Sequence, residues 1–206
     1  MTISALLKRG AEASIYLSTF ANRKAVIKRR EPKTYRDARL DKLIRSQRQK
    51  NEARCIAAAR EAGVLTPFIF DVDMEEMEIV MEFIPGDKIS SCLERMNSEA
   101  RHRIEHDIGM NVAALHSNHI AHGDLTTSNM ILSGSSIYII DFSMSTRDAT
   151  VENMGVDIHM LRGIFLSTHP SIAEEFSNVL EGYVKNGGKN EVIEKAKEIE
   201  GRVRYV

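Results

Sequence analysis

Two aspartates and an asparagine open the chemistry of this chain. Asp124 and Asn129 stand five residues apart in the polar stretch HGDLTTSN at 122–129, and Asp141 follows twelve residues after Asn129 in IIDFS at 139–143. Two carboxylates and one amide oxygen make a hard, oxygen-rich site. Such a site suits Mg²⁺, which keeps several waters and shares its other positions with phosphates. Met130-Ile131-Leu132 and Ile137-Tyr138-Ile139-Ile140, joined by Ser-Gly-Ser-Ser, read as a β-hairpin. A hairpin brings its two ends together, so the three side chains can converge.

The elements around that hairpin read as follows. Residues 4–27 are strands, punctuated by Gly10 and Asn22. Residues 34–62 are a helix rich in Lys and Arg, with Leu40, Leu43, Ile44, Cys55, Ile56 and Ala59 at helical spacing. From Arg45 to Arg54 its one apolar residue is Ala53, so that stretch is expected to be exposed or covered by a partner. Residues 67–73 and 77–84 form a strand pair stopped by Pro85-Gly86, where a boundary between two lobes, 1–84 and 85–206, is placed. Asn97-Ser98 caps a helix to about His116, with Ile104, Ile108, Val112 and Leu115 as its buried stripe. Helices are expected over 155–167, 171–186 and 190–200, the second ended by Gly187-Gly188. Strands first and helices second is an α+β order.

Composition narrows the class. The chain has 206 residues, 43% hydrophobic and 28% charged, which suits one compact unit or two small lobes. No apolar run approaches the roughly 20 residues needed to span a bilayer, and no secretory leader is evident, so a cytoplasmic protein is expected. Cys55 and Cys92 have no metal-ligand spacing and are expected to be unpaired thiols. The net charge of −1 hides an asymmetry. Residues 1–60 hold 16 Lys+Arg against 5 Asp+Glu, and the remainder hold 12 against 24. A basic first part points to a polyanionic partner or to a solvated basic face.

The loop and the segment after it resemble the protein-kinase catalytic loop followed by the DFG aspartate. The resemblance implies a minimal bilobal protein-kinase-like fold, ATP and Mg²⁺ as cofactors, Asp124 as the residue that orients the attacking hydroxyl, and Asn129 and Asp141 as metal ligands. Ala25-Val26-Ile27-Lys28 is similar to the strand whose lysine holds the α/β-phosphates, with Glu52 as its ion-pair partner. Val80 to Gly86 resembles the hinge, with Glu82 and Ile84 receiving adenine, Ile131 as a further cofactor-binding residue and Gly10 and Ala11 in the loop over the phosphates. Asp157 resembles the aspartate that braces the catalytic loop. Singly, each residue has an ordinary reading as a turn former or a surface charge. Their order and spacing together outweigh it.

Four departures narrow the resemblance. The nucleotide loop RGAEAS at 9–14 has one glycine, Gly123 replaces the usual arginine, and Thr126 stands where many kinases have lysine. Ser143 replaces the DFG glycine, and no peptide-binding platform follows. These departures, with KTYRDARLDKLIRSQRQKNEAR at 33–54 and VDIHMLRGIFLSTHP at 156–170, are similar to the small atypical, PRPK-type kinase family of the KEOPS complex. That resemblance implies an ATPase and Ser/Thr kinase serving threonylcarbamoyladenosine formation on tRNA. It also implies a transferase partner of actin/Hsp70-type fold, a small KEOPS partner subunit, and a basic C-terminal tail, here Arg202 and Arg204. The helix over 34–54 is then expected to track tRNA phosphates through Arg36, Arg39, Arg45, Arg48 and Lys50. Two other functions fit the same residues less well: a phosphotransferase of the aminoglycoside/choline kinase type, whose loop reads differently after HGD, and a pseudokinase scaffold, which would not need the intact site.

Overall fold

The computed structural model describes residues 2–10 and 12–203. Its first element is an antiparallel sheet of five strands in the order β1-β2-β3-β5-β4. The strands are β1 (Thr2–Arg9), β2 (Ser14–Phe20), β3 (Arg23–Arg29), β4 (Ile69–Asp73) and β5 (Glu78–Glu82). Ala21 and Asn22 have φ of 46° and 62°, the left-handed pair that a two-residue hairpin turn of the favoured hand requires. The turn fixes Phe20 opposite Arg23, and the register carries through to Ser14 opposite Arg29. Lys28 therefore sits near the end of the central strand, flanked by Ile15 and Ile79.

Helix α1 (Ala38–Glu61) follows, with the Asp37 side chain accepting from the N–H groups of Arg39 and Leu40. The polar run in its middle is exposed at Gln47, Lys50 and Arg54 but turns one side inward. Gln49 and Glu52 are buried to 0% and 1% exposure by contacts within the chain. Gln49 Nε2 donates to the carbonyls of Asp73 (2.6 Å) and Glu78 (3.0 Å), tying the helix to the β4–β5 hairpin. Polar side chains can line a buried face when backbone carbonyls receive them, which apolar periodicity does not reveal. Cys55, Ile56 and Ala59 join the main core, and both cysteines are free and buried.

The helical part contains two short elements, β6 (Asp87–Lys88) and α2 (Ile89–Cys92), then α3 (Ser98–Ser117), β7 (Ile120–Ala121), β8 (Met130–Ser133), β9 (Ser136–Ile139), β10 (Thr146–Arg147), α4 (Val151–Thr168), α5 (Phe176–Lys185) and α6 (Asn190–Val203). The expected stripe Ile104, Ile108, Val112 and Leu115 is fully buried, against Leu161, Phe165, Val179 and Tyr183 among others. Helices α3 and α5 cross at two glycines. A Cβ on Gly109 would meet the backbone of Val179 to Tyr183, and one on Gly182 would meet the backbone of His106. Arg202 of the expected tail is part of α6 and pairs with Glu198 and, at 3.3 Å, Glu152; residues 204–206 lie outside the described residues.

The close crossing buries a carboxylate. Glu105 on α3 is 0% exposed and accepts from Asn178 Nδ2 at 2.7 Å. Burial pushes its pKa from 4.5 up to about 7, aided by the charge of Glu175 and opposed by Asn178 and Arg101. The folded chain thus holds this proton more tightly than the unfolded chain does. Its contribution to stability is complete below about pH 4.5 and is lost as pH rises through about 7. Glu105→Gln should match the parent near pH 4.5 and exceed it at pH 8 by on the order of 1–3 kcal/mol, read from urea midpoints. A gap that is larger at pH 5 than at pH 8 would contradict this.

Candidate functional site

The β8–β9 hairpin builds the site as its sequence suggests. Met130 pairs with Ile139, and beyond that pair the Ile140 N–H donates to the Asn129 carbonyl at 2.9 Å. That bond holds the end of the 122–129 loop beside Asp141. The Asn129 Nδ2 donates to the Asp124 carbonyl and to Asp124 Oδ2, both at 2.9 Å. With its nitrogen committed to Asp124, Asn129 has its side-chain oxygen to offer a cation.

The loop is anchored from below. Asp157 on α4 is fully buried and accepts from the N–H groups of His122 (2.6 Å) and Gly123 (2.8 Å). His116 Nε2 lies 3.4 Å from the same carboxylate, and its Nδ1 is 3.0 Å from the Tyr183 hydroxyl. His122 faces the Ile140 carbonyl through Nε2 at 3.1 Å, while its Nδ1 receives the Asp124 N–H at 3.3 Å. A carbonyl only accepts, so Nε2 carries the proton and Nδ1 is the acceptor. Gly123 has φ of 77°, and a Cβ there would strike the Met144 backbone. The glycine at this position is therefore a packing requirement as well as the loss of an arginine.

Lys28 joins the sheet to the hairpin. Its Nζ lies 2.5 Å from Glu52 Oε1, 2.7 Å from Asp141 Oδ1 and 2.6 Å from Ser143 Oγ. Glu52 is clamped from its other oxygen by Arg30 Nη2 at 2.5 Å. Ser143 donates in turn to Asp141 Oδ1 at 2.5 Å. Asp141 adopts φ of 65°, a left-handed conformation that non-glycine residues hold where the surroundings impose it. Partial desolvation raises the pKa of its carboxyl, but the charge and hydrogen bond of Lys28, with the bonds from Ser143, hold it well below the usual carboxylate range.

A cleft of about 400 Å³ runs from this polar end between the sheet and the hairpin. Lys28, Glu52, Glu82, Ile84, Ile131, Asn129 and Asp141 all line it. Ile15, Val26 and Met81 supply apolar walls. Gly86, just past the strand end, has φ of 153° and packs where a Cβ would overlap the Leu132 carbonyl, so the chain passes close against β8 there. Gly10 closes the β1–β2 turn through its N–H to the Ala13 carbonyl (2.9 Å) and is not among the residues lining the cleft; Ala11 lies outside the described residues. Asp124 reaches the site through Asn129 and does not line the cleft wall itself. Sequence reasoning missed Arg30 and the bridging role of Ser143. Arg30 stands two residues after Lys28, just past the end of β3, and that period-two spacing was the available signal.

The basic residues of 34–54 do not share one face. Arg36, Arg45 and Arg48 turn toward Glu12 and Arg30, whereas Arg39 and Lys50 line a separate surface with Lys42. Positions 39 and 50 fall three turns apart on one side of α1, and position 48 falls nearly opposite them. The expectation of a single five-residue face is corrected accordingly.

A RIO domain model matches residues 13–175. The KEOPS complex subunit Bud32 of Pyrococcus abyssi is 41% identical over 97% of this chain and 96% of that protein. The chain belongs to the Bud32 family of RIO-domain kinases. A probable serine/threonine-protein kinase BUD32 homologue of Archaeoglobus fulgidus is 42% identical over 88% of each chain. A probable bifunctional tRNA threonylcarbamoyladenosine biosynthesis protein of Methanobrevibacter smithii is 39% identical over 97% of this chain, which spans 36% of that longer protein. Among solved structures, WaaP in complex with acyl carrier protein superposes with a TM-score of 0.67 at 16% identity, covering 98% of this chain and 88% of that one. The likeness shows a protein-kinase-like fold: an N-terminal antiparallel sheet followed by a helical part. No helix among the described residues is long and apolar enough to cross a membrane.

Proposed function

We propose that this chain is the kinase and ATPase subunit of a cytoplasmic KEOPS complex serving threonylcarbamoyladenosine formation on tRNA. The observation that carries the reading is the meeting of Lys28, Glu52 and Asp141, distant in sequence, at the polar end of one cleft. The cleft volume falls in the range of ligand pockets, and apolar walls of Ile15, Val26, Met81 and Ile131 lead to the charged cluster of Lys28, Glu52 and Asp141. A purine fits such walls, with Glu82 and Ile84 beside it, and a triphosphate fits the Lys28 end.

The residues fit Mg²⁺ as well. Asp141 stays ionised, Asn129 presents an amide oxygen, and among the described residues no group of three or more His, Cys, Asp or Glu could hold a metal ion alone. A cation here therefore draws on phosphate oxygens and water for the rest of its coordination, as Mg²⁺ does. When bound, Mg²⁺ neutralises charge on the phosphates. Lys28, released from Asp141, holds the α/β-phosphates while Glu52 and Arg30 fix its position. Asp124, fixed by Asn129 below and His122 behind, orients a water or a serine hydroxyl toward the γ-phosphate. Phosphoryl transfer rests mainly on such positioning and charge stabilisation, so one site serves either acceptor. The two lobes meet near Pro85, residues 1–84 forming the first and 85–206 the second.

Two partners follow from this reading: the transferase of actin/Hsp70-type fold and the small KEOPS subunit. The long bifunctional relative supports the first, since this chain matches only part of it. The third partner is tRNA, met by basic residues of 34–54 on two sides of α1. ATP turnover measured alone, with tRNA and with the transferase subunit tests the proposal. A rise of about tenfold or more in the mixture supports an ATPase that works in the assembly. Turnover that stays at background in every mixture rejects it.

A further inference from the structure

A second cavity, of about 120 Å³, lies between the β1–β2 turn, the end of β3 and the start of α1. Arg30, Lys33, Arg36, Arg45 and Arg48 line it. Against these five cations stand two lining carboxylates, Glu12 and Glu31. Asp41, behind the wall, takes Arg45 at 2.6 Å and Arg36 at 3.8 Å.

Arg30 is the unusual member. It is 2% exposed, and its Nε has no hydrogen-bond partner among the described residues. Nη2 is taken by Glu52, while among the described residues Nη1 has a loose contact of 3.5 Å with Glu12. A buried guanidinium with an unused donor is costly, and its planar fork suits a tetrahedral oxyanion. Glu12 already occupies the mouth of the cavity as a single negative charge, paired with Arg48 and with a side chain 43% exposed. A dianion in its place would satisfy more of the surrounding donors.

We propose that this cavity is a phosphate-binding site separate from the nucleotide cleft, taking inorganic phosphate or a phosphate on a nucleic-acid backbone. The cavity has room for a tetrahedral oxyanion and not for a nucleoside. Its occupation reaches the cleft by two short routes. Arg30 touches Glu52, the partner of Lys28, and Glu12 belongs to the turn beside Gly10. Phosphate that displaces Glu12 from Arg48 frees that turn, while Arg30 keeps its hold on Glu52. Phosphate binding here is independent of what the cleft catalyses.

The test titrates the full chain with inorganic phosphate by calorimetry at fixed ionic strength, with the cleft filled by a non-hydrolysable ATP analogue and Mg²⁺. Saturable binding of one phosphate is expected, weakened at least about tenfold in Arg36→Gln/Arg48→Gln. Arg36→Gln alone, a milder change, should show a smaller loss in the same direction. Lys42→Gln, an exposed lysine that lines a separate surface of α1 and not this cavity, should bind as the parent does. Absence of saturable binding, loss of binding when the analogue fills the cleft, or equal weakening in Lys42→Gln would each overturn the proposal. Adding tRNA separates the sources: displacement assigns the site to backbone phosphate, and persistence assigns it to free phosphate.

Discussion

Asp141→Asn is expected to lower ATP turnover by at least about a hundredfold while the chain stays folded. The substitution removes charge and little else. Asparagine tolerates the left-handed conformation at φ 65° and keeps an oxygen for the Ser143 hydroxyl. Lys28 retains Glu52 at 2.5 Å, so the polar cluster does not fall apart. The side chain of Asp141 is 43% exposed, so its ion pair with Lys28 is partly screened by water and contributes little to folding. The thermal midpoint should therefore move by no more than roughly 2–4 °C. What disappears is the carboxylate proposed to hold the cation, which stays ionised across the whole neutral range. Turnover at the parent rate would remove Asp141 from the site.

Asp157→Ala is expected to destabilise the chain by about 3 kcal/mol or more, the largest stability loss predicted for a single side chain here. Its carboxylate is fully buried and is the acceptor for two consecutive backbone N–H groups, those of His122 and Gly123. Truncation leaves both donors and His116 without that partner, and the His122 N–H and His116 lie in a fully buried place. Each orphaned buried donor costs about 1–3 kcal/mol. Asp157→Asn should fall between parent and Ala, because one amide oxygen can accept one of the two N–H groups while its NH₂ opposes the other. Urea midpoints measure the series. Since the anchored residues immediately precede Asp124, turnover per folded molecule should fall too. A change below 1 kcal/mol in the alanine variant would contradict the bracing role.

The parts legible in the sequence were those with local rules. The β8–β9 hairpin followed from two apolar runs and a Ser-Gly turn, and its closure explains why Asn129 and Asp141 meet. The stripe on α3 followed from helical spacing. The middle of α1 was misread because Gln49 is polar and yet buried, its amide received by carbonyls of a hairpin more than twenty residues away. Periodicity reports apolar faces and is silent on polar side chains that backbone groups satisfy. The split of the basic residues between two sides of α1 was readable from helical geometry, but composition alone merged them. Arg30 and Ser143 were obscured for a different reason: both act through distant partners, Glu52 and Lys28, whose positions depend on how the sheet docks on the hairpin. The glycine crossing of α3 and α5 likewise belongs to tertiary packing, since neither Gly109 nor Gly182 is needed by its own helix.

The most direct measurement follows ATP cleavage and nucleotide binding together in the parent and in Asp124→Ala. Asp124 touches Asn129 and the loop but lines no wall of the cleft, so Mg-ATP affinity should change by no more than about threefold. Cleavage should fall at least about a hundredfold, because the residue proposed to orient the attacking oxygen is gone. Cleavage at the parent rate with binding intact would contradict the assignment of this loop as the catalytic one.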